Sequence, residues 1–305
     1  MSVPRAGVVP PLVTPLTPDR EPDLPSLERL IARLLDAGVH GIFALGSSGE
    51  AAFLDDVVRA RVLDAVTGIV AGAVPVIAGC IDMQAARVLQ HIRCAERVGV
   101  DGVVVTAPFY AITGPEEVRA HFEVIGARAR VPVLAYDIPA CVHTKLPVDV
   151  LIDLAESGAI VGVKDSSGDD VSFRRLSSRN RAAGGPLVLF SGHEVALDGA
   201  YLSGAHGCVP GLANVDPAGY VRLHDAAVAG DWERARREQD RLAALMEIAF
   251  APVGQVGPAA GVGSFKTALQ LLGVLSSNTM SVPLSALTGA NVEAVRAVME
   301  EVGLL

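Results

Sequence analysis

Lys164 closes the apolar run IVGVK and is one of only three lysines, with Lys145 and Lys266, among 25 basic side chains. An ammonium flanked by apolar wall is disfavoured by desolvation, and a lysine kept partly neutral can attack a ketone to form a Schiff base. Arginine stays protonated and cannot do this. An ion pair with Asp165, Asp169 or Glu194 is the alternative use of Lys164. Tyr136 and Tyr110 also follow apolar runs, and the chain has only four tyrosines. A phenol within hydrogen-bond reach passes protons to and from a carbinolamine or a substrate hydroxyl; a rim tyrosine can equally pack its ring and cap a carbonyl.

Gly46-Ser47-Ser48-Gly49-Glu50 offers uncovered backbone N–H groups and two hydroxyls, a set suited to a carboxylate or phosphate. It matches neither the Walker loop nor the nucleophile elbow, and a tight strand-to-helix turn explains it as well. Gly207–Asn214, GCVPGLAN, admits the same two readings. The seven histidines do not cluster, and His193-Glu194 has no H-x-H or carboxylate companions that would make a metal site. Cys80, Cys94, Cys141 and Cys208 form no C-x-x-C pair and read as buried small hydrophobes or free thiols.

Elements of one kind would bring these residues together. Continuous apolar runs begin near Gly7, Gly41, Val74, Gly102, Val131, Ile160, Leu187 and His206, the pattern of strands buried on both faces. Helical patterns alternate with them: 24–37, 55–70, 83–98, 115–129, 147–157, 169–181, 194–202 and 216–229. Eight strand–helix units in about 230 residues predict a closed (β/α)8 TIM barrel over residues 1–230. Residues 231–305 then form a helical region packed on the barrel, with helices in WERARREQDRLAALMEIAF, SFKTALQLLG and NVEAVRAVMEEVG. Barrel chemistry lies at the C-terminal strand ends. Lys164, Tyr136, Tyr110, the Ser47-Ser48 turn, Gly192 and Val209 are therefore expected at one rim.

A net charge of −9 without basic runs argues against nucleic acid. No apolar run approaches the roughly 20 residues of a membrane span, and the N-terminus lacks a signal-peptide pattern. The expected setting is the cytoplasm.

GSSGE after strand two, P-F-Y after strand four, Y-D-I-P after strand five and G-V-K-D-S-S-G-D after strand six occur in order. Together with VVPPLVTP, GCVPGLANV and SFKTALQLLGV they resemble the dihydrodipicolinate synthase / N-acetylneuraminate lyase family of class I pyruvate aldolases, nearly end to end. The resemblance implies Lys164 as the Schiff-base lysine, Tyr136 as proton shuttle, and Ser47 as the hydroxyl linking Tyr136 to Tyr110. Tyr110 would come across a tight-dimer interface of a homotetramer. Ser48 would hold the substrate carboxylate, with Gly46, Gly192 and Val209 lining the pyruvate pocket. The partners implied are pyruvate and an aldehyde, with no metal or organic cofactor.

Departures bear on substrate. Cys141 falls where synthases place an Arg for the carboxylate of aspartate semialdehyde, and a thiol cannot make that bidentate contact. Phe109, Asp137 and His143 also differ from the usual residues. The expectation is an aldolase for a 2-oxo-3-deoxy sugar acid or a similar 2-oxo acid. The alternatives are 4-hydroxy-tetrahydrodipicolinate synthase, a barrel using a divalent metal on an enolate, and a silent 2-oxo-acid binder.

Overall fold

The computed structural model describes residues 3–305. Eight parallel strands run β1 Gly7–Val8, β2 Ile42–Ala44, β3 Val76–Gly79, β4 Gly102–Thr106, β5 Val133–Asp137, β6 Gly162–Asp165, β7 Val188–Ser191 and β8 Gly207–Cys208. They pair in sequence from β2 to β8, and β8 pairs with β1. Three hydrogen bonds between the first and second strand segments close the ring: His40 N to Val8 O (2.9 Å), Phe43 N to Pro10 O (3.0 Å) and Leu12 N to Phe43 O (2.9 Å). The fold is a (β/α)8 barrel, as the spacing of apolar runs predicts. Nearly every strand residue is buried, which is why the runs are continuous rather than alternating.

The surrounding helices are α1 Leu24–Asp36, α2 Asp56–Val70, α3 Ala85–Val98, α4 Pro115–Gly126, α5 Pro139–Val142, α6 Val148–Glu156, α7 Asp170–Ala182, α8 Leu197–Ser203 and α9 Pro217–Val228. Asp23, Asp55, Asp169 and Asp216 each accept a backbone N–H in the first turn of the helix that follows. These caps set where the chain leaves the rim and turns into a helix.

Within the barrel, α5 and the helix after β7 differ from expectation. The short α5 lies inside what reads as the loop after β5. The helix expected from Glu194 starts instead at Leu197, because the Glu194 carboxylate accepts from Leu212 N (2.9 Å) and holds that segment against the loop after β8.

Residues beyond α9 form α10 Trp232–Met246, α11 Gly257–Leu271 and α12 Ala290–Glu301. The α11 helix begins seven residues earlier than SFKTALQLLG suggests. GPAAGVG reads as a loop, since each interior Gly costs about 1 kcal/mol in a helix. Here Pro258 occupies the first turn, and burial of Val262, Phe265 and Leu269 outweighs that cost. The tail is fastened to the barrel by a fully buried ion pair between Lys266 and Glu50. Glu50 also accepts from Ser281 N (2.7 Å), and the Lys266 ammonium donates to Thr279 O (2.8 Å).

Candidate active site

The turn after β2 is built on backbone conformations that are uncommon for residues with side chains. Leu45 and Glu50 both adopt positive φ, 56° and 57°, so the chain folds sharply over the barrel mouth. Gly79 on β3 makes this possible, since any Cβ there would run into Leu45 O. Within the turn, Gly49 N and Glu50 N donate to the carbonyls of Gly46 and Ser47, both at 3.0 Å. Among the described residues no protein group accepts from Ser47 N or Ser48 N, nor from either hydroxyl. Four donors therefore remain available at the rim, and the anion-cradle reading of GSSGE gains support over a purely structural turn. Glu50, by contrast, serves the fold through Lys266.

Lys164 and Tyr136 sit side by side because β5 and β6 pair in register, Tyr136 opposite Lys164 and Asp137 opposite Asp165. Lys164 is only 5% exposed, and Tyr136 is buried. The Lys164 ammonium lies 4.1 Å from the Tyr136 ring centroid and 5.0 Å from that of Phe43. No carboxylate of the described residues comes within ion-pair distance, so the pairing with Asp165, Asp169 or Glu194 does not form. The contrast with the other lysines is informative: Lys145 pairs with Asp137, and Lys266 with Glu50. Lys164 alone keeps its nitrogen uncommitted.

A cavity of about 240 Å³ opens over this nitrogen. Ser47, Ser48, Tyr136, Lys164, Gly192 and Val209 all line it. Gly192 is required by contact: a Cβ there would stand 3.2 Å from Lys164 Cε and closer still to the Ser166 hydroxyl. Gly46 is not on the cavity wall but behind it, where a Cβ would meet the Phe43 ring at 2.7 Å. Cys141 on α5 is exposed and, unlike the expected binding residues Ser48, Gly192 and Val209, does not line the cavity; partial burial raises its thiol pKa, while the Lys164 charge pulls it down.

Tyr110 does not converge with Tyr136 within one chain. It lies four residues past β4 in a loop, with φ at 72° and 92% exposure. Only one of the two tyrosines is therefore at the site of a single chain.

Several lining residues escape the reading of strand ends. Met246, Val262 and Phe265 come from the tail and form an apolar outer wall. Ser166, from the K-D-S-S end of strand six, also lines the cavity, while Phe43 stays off its wall and packs with its ring centroid 5.0 Å from the Lys164 nitrogen; a heavier weight on aromatic residues inside strands would have found Phe43. Glu194 also lines the cavity; burial raises its carboxyl pKa, opposed by the N–H groups of Leu212 and Gly211. No arginine lines the cavity. Among the described residues no group of three His, Cys, Asp or Glu side chains is arranged to hold a metal ion. Among the described residues no helix is long and apolar enough to cross a membrane.

A charged cluster adjoins the site. The Lys145 ammonium bonds the buried Asp137 carboxylate and lies 3.7 Å from Asp165 Oδ2. Asp137 also accepts from Leu146 N (3.1 Å), and Asp165 from Ser167 N (2.8 Å) and the Ser167 hydroxyl (2.6 Å). Burial pushes the Asp137 carboxyl up to about 6, against the pull of Lys145. Two acids directly after Tyr136 and Lys164 were the sequence signal for this cluster.

Known proteins carry the same arrangement of elements. Residues 4–302 match the dihydrodipicolinate synthetase family. The chain is 33% identical over 301 residues to a 4-hydroxy-tetrahydrodipicolinate synthase of Phenylobacterium zucineum, covering 98% of each. It is 35% identical over 300 residues to an uncharacterised DapA-like lyase of Halobacterium salinarum, covering 98% of this chain and 94% of that one. The dihydrodipicolinate synthase of Bacteroides thetaiotaomicron superposes with a TM-score of 0.92 at 30% identity, over 99% of this chain and 100% of that one. YagE, a prophage protein of the same family from E. coli K12 solved in complex with pyruvate, gives 0.92 at 26% identity, over 98% and 99%. With a family match across almost the whole chain and relatives above 30% identity, the chain belongs to the dihydrodipicolinate synthetase family of class I pyruvate-dependent aldolases and is a lyase.

Proposed function

We propose that this lyase reversibly cleaves a 2-oxo-3-deoxy sugar acid, or a similar 2-oxo acid, through a pyruvate enamine on Lys164. The observation that carries the reading is that Lys164 alone among the lysines has no carboxylate partner, and its nitrogen opens onto the cavity beside Tyr136 and the Ser47-Ser48 turn.

The neutral Lys164 nitrogen attacks the C2 carbonyl, and the carbinolamine loses water to give an iminium. Loss of the C4 hydroxyl proton breaks the C3–C4 bond; the electron pair moves to the iminium, leaving an enamine and a free aldehyde. Protonation at C3 and hydrolysis return pyruvate and the free lysine. Synthesis runs these steps in reverse. Tyr136 shuttles the protons, with Ser47 and a Tyr110 from a second copy extending the relay. Ser48 and the free N–H groups of its turn hold the C1 carboxylate, which fixes orientation away from the breaking bond. Gly192 and Val209 bound the pyruvate moiety, Gly46 supports the floor, and Cys141 stands on the aldehyde side. The scheme needs no metal or organic cofactor, and the working form is a cytoplasmic homotetramer.

The acceptor end favours an uncharged, hydroxylated aldehyde. Its walls are Met246, Val262 and Phe265, its one acid is Glu194, and no arginine is present to grip a second carboxylate. The second reading is 4-hydroxy-tetrahydrodipicolinate synthase, which the name of the Phenylobacterium relative favours.

Borohydride reduction with pyruvate should add mass at Lys164, and Lys164→Ala should abolish the adduct. A well-folded protein that gives no adduct refutes the Schiff-base scheme. A pyruvate-release screen over 2-oxo-3-deoxy acids, run beside aspartate semialdehyde condensation, then separates the two substrate readings. Efficient condensation of the semialdehyde overturns the first.

A further inference from the structure

The segment that follows β5 leaves the rim, forms α5 and returns to place Lys145 beneath the ends of β5 and β6. Two carboxylates meet there by register, Asp137 opposite Asp165, each one residue beyond the pair Tyr136 and Lys164. Both acids are buried. Left alone, two adjacent buried carboxylates repel and cannot both stay ionised. Lys145 is the cation that reaches both, bonding Asp137 and standing 3.7 Å from Asp165. The charges that act on Asp137 are Lys145 and Asp165; Tyr136 and Lys164 lie one residue back on the same strands, and the Cys141 thiol on α5 feels the Lys164 charge. Ser167 holds the far side of Asp165, and Leu146 N the far side of Asp137.

We propose that Lys145 is a positioning residue of the lyase site. By balancing Asp137 and Asp165 it fixes the paired strand ends that carry Tyr136 and Lys164, and it clamps the α5 segment bearing Cys141 beside them. The proposal rests on Lys164 being the Schiff-base lysine. Lys145 touches no reacting atom in this scheme. It acts through backbone register, and its loss leaves a like-charge pair at the ends of the two strands whose alignment sets the Tyr136–Lys164 distance.

A proton can replace the missing cation, and this gives the proposal a signature. In Lys145→Met the two acids share one proton at low pH, so repulsion is muted. As pH rises that proton is lost and the strand ends separate. The deficit relative to wild type should therefore grow with pH, over roughly pH 6 to 9. Removing one acid as well, in Lys145→Met/Asp137→Asn, should erase the growth.

The test is the rate of pyruvate adduct formation at Lys164, trapped by borohydride and read by intact mass across that pH range. It is run on the full chain for wild type, Lys145→Met, Lys145→Arg and the double variant. Lys145→Met is expected to be slower by on the order of 10-fold to 100-fold at the alkaline end. Lys145→Arg should retain most of the rate, and the double variant should recover it with a wild-type pH profile. A Lys145→Met protein that traps pyruvate at the wild-type rate throughout overturns the proposal, as does a deficit that does not change with pH. If Lys145→Met does not fold, the double variant decides: a wild-type rate and profile support the proposal, and a slow rate overturns it. Absence of the adduct in wild type refutes the Schiff-base reading instead, so the two failures are distinguishable.

Discussion

Gly192→Ala tests whether the room beside Lys164 is a requirement of the chemistry. An added Cβ stands 3.2 Å from Lys164 Cε and inside contact distance of the Ser166 hydroxyl. The Ser166 hydroxyl can rotate aside at small cost, since it makes no hydrogen bond to another side chain or carbonyl. Lys164 has less freedom, because Phe43 and Tyr136 bracket its nitrogen at 5.0 and 4.1 Å. Restoring an ordinary carbon–carbon contact near 3.5 to 4.0 Å moves Cε by about 0.5 Å, and the nitrogen with it. Attack on a carbonyl needs the reacting atoms at about 3 to 3.5 Å, and a 1 Å error costs about 100-fold. Half that error predicts about a 10-fold loss in adduct-formation rate, or ~1.4 kcal/mol on the barrier. Stability should change little, as Gly192 φ lies outside the left-handed region and its N–H bond to Asp165 O (2.7 Å) survives. Rapid-quench borohydride trapping measures the rate, and urea unfolding measures stability. A variant that forms the adduct at the wild-type rate refutes the argument that Gly192 makes room for the lysine.

Lys266→Met leaves Glu50 charged and buried without its cation, and should destabilise the protein by about 3 to 5 kcal/mol. Urea unfolding checks this, and the added change Glu50→Gln should return a substantial part of the loss. Asp137 gives a pH-dependent term of defined sign. Its folded pKa is raised from 3.8 to about 6, so the folded state holds the proton in that window. Its contribution to stability is full below the unfolded value and is lost as pH rises through about 6, a total of ~3 kcal/mol. The stability of Asp137→Asn minus that of wild type should therefore increase by about that amount between pH 4 and pH 7, as read by urea unfolding. A difference that stays flat or falls contradicts the assignment. The differential form matters because Asp23, Asp56 and Asp82, whose pKa values are lowered, tilt the whole-protein profile the other way.

The barrel was legible in the sequence because strands buried on both faces leave uninterrupted apolar runs, and the capping aspartates mark several helix starts. Lys164, Tyr136, Ser47, Ser48, Gly192 and Val209 could be gathered from one rule, that polar or small residues ending such runs share a rim. What the rule misses arrives by other routes. Met246, Val262 and Phe265 come from helices outside the strand repeat, so no strand end announces them. The start of α11 was hidden because three glycines argue locally against a helix that tertiary burial supports. Lys145 lies in a loop eight residues beyond Asp137, and only strand register shows that one cation faces two acids. Tyr110 was placed at the rim by its position after β4, but its exposed loop keeps it away from Tyr136 in a single chain.

The buried pair of Glu50 and Lys266 joins the two ends of the chain's division of labour. Glu50 closes the turn whose serines line the cavity, while Lys266 lies one residue beyond Phe265, which lines it from the tail. In the proposed scheme the covalent chemistry is thus written in the barrel and the acceptor wall in the tail, and this is the fully buried salt bridge between them. A chimera that imports a foreign tail to alter the acceptor must import a compatible partner for Glu50. Without it, the graft would disturb the very turn to which the proposed scheme assigns the common half of every substrate.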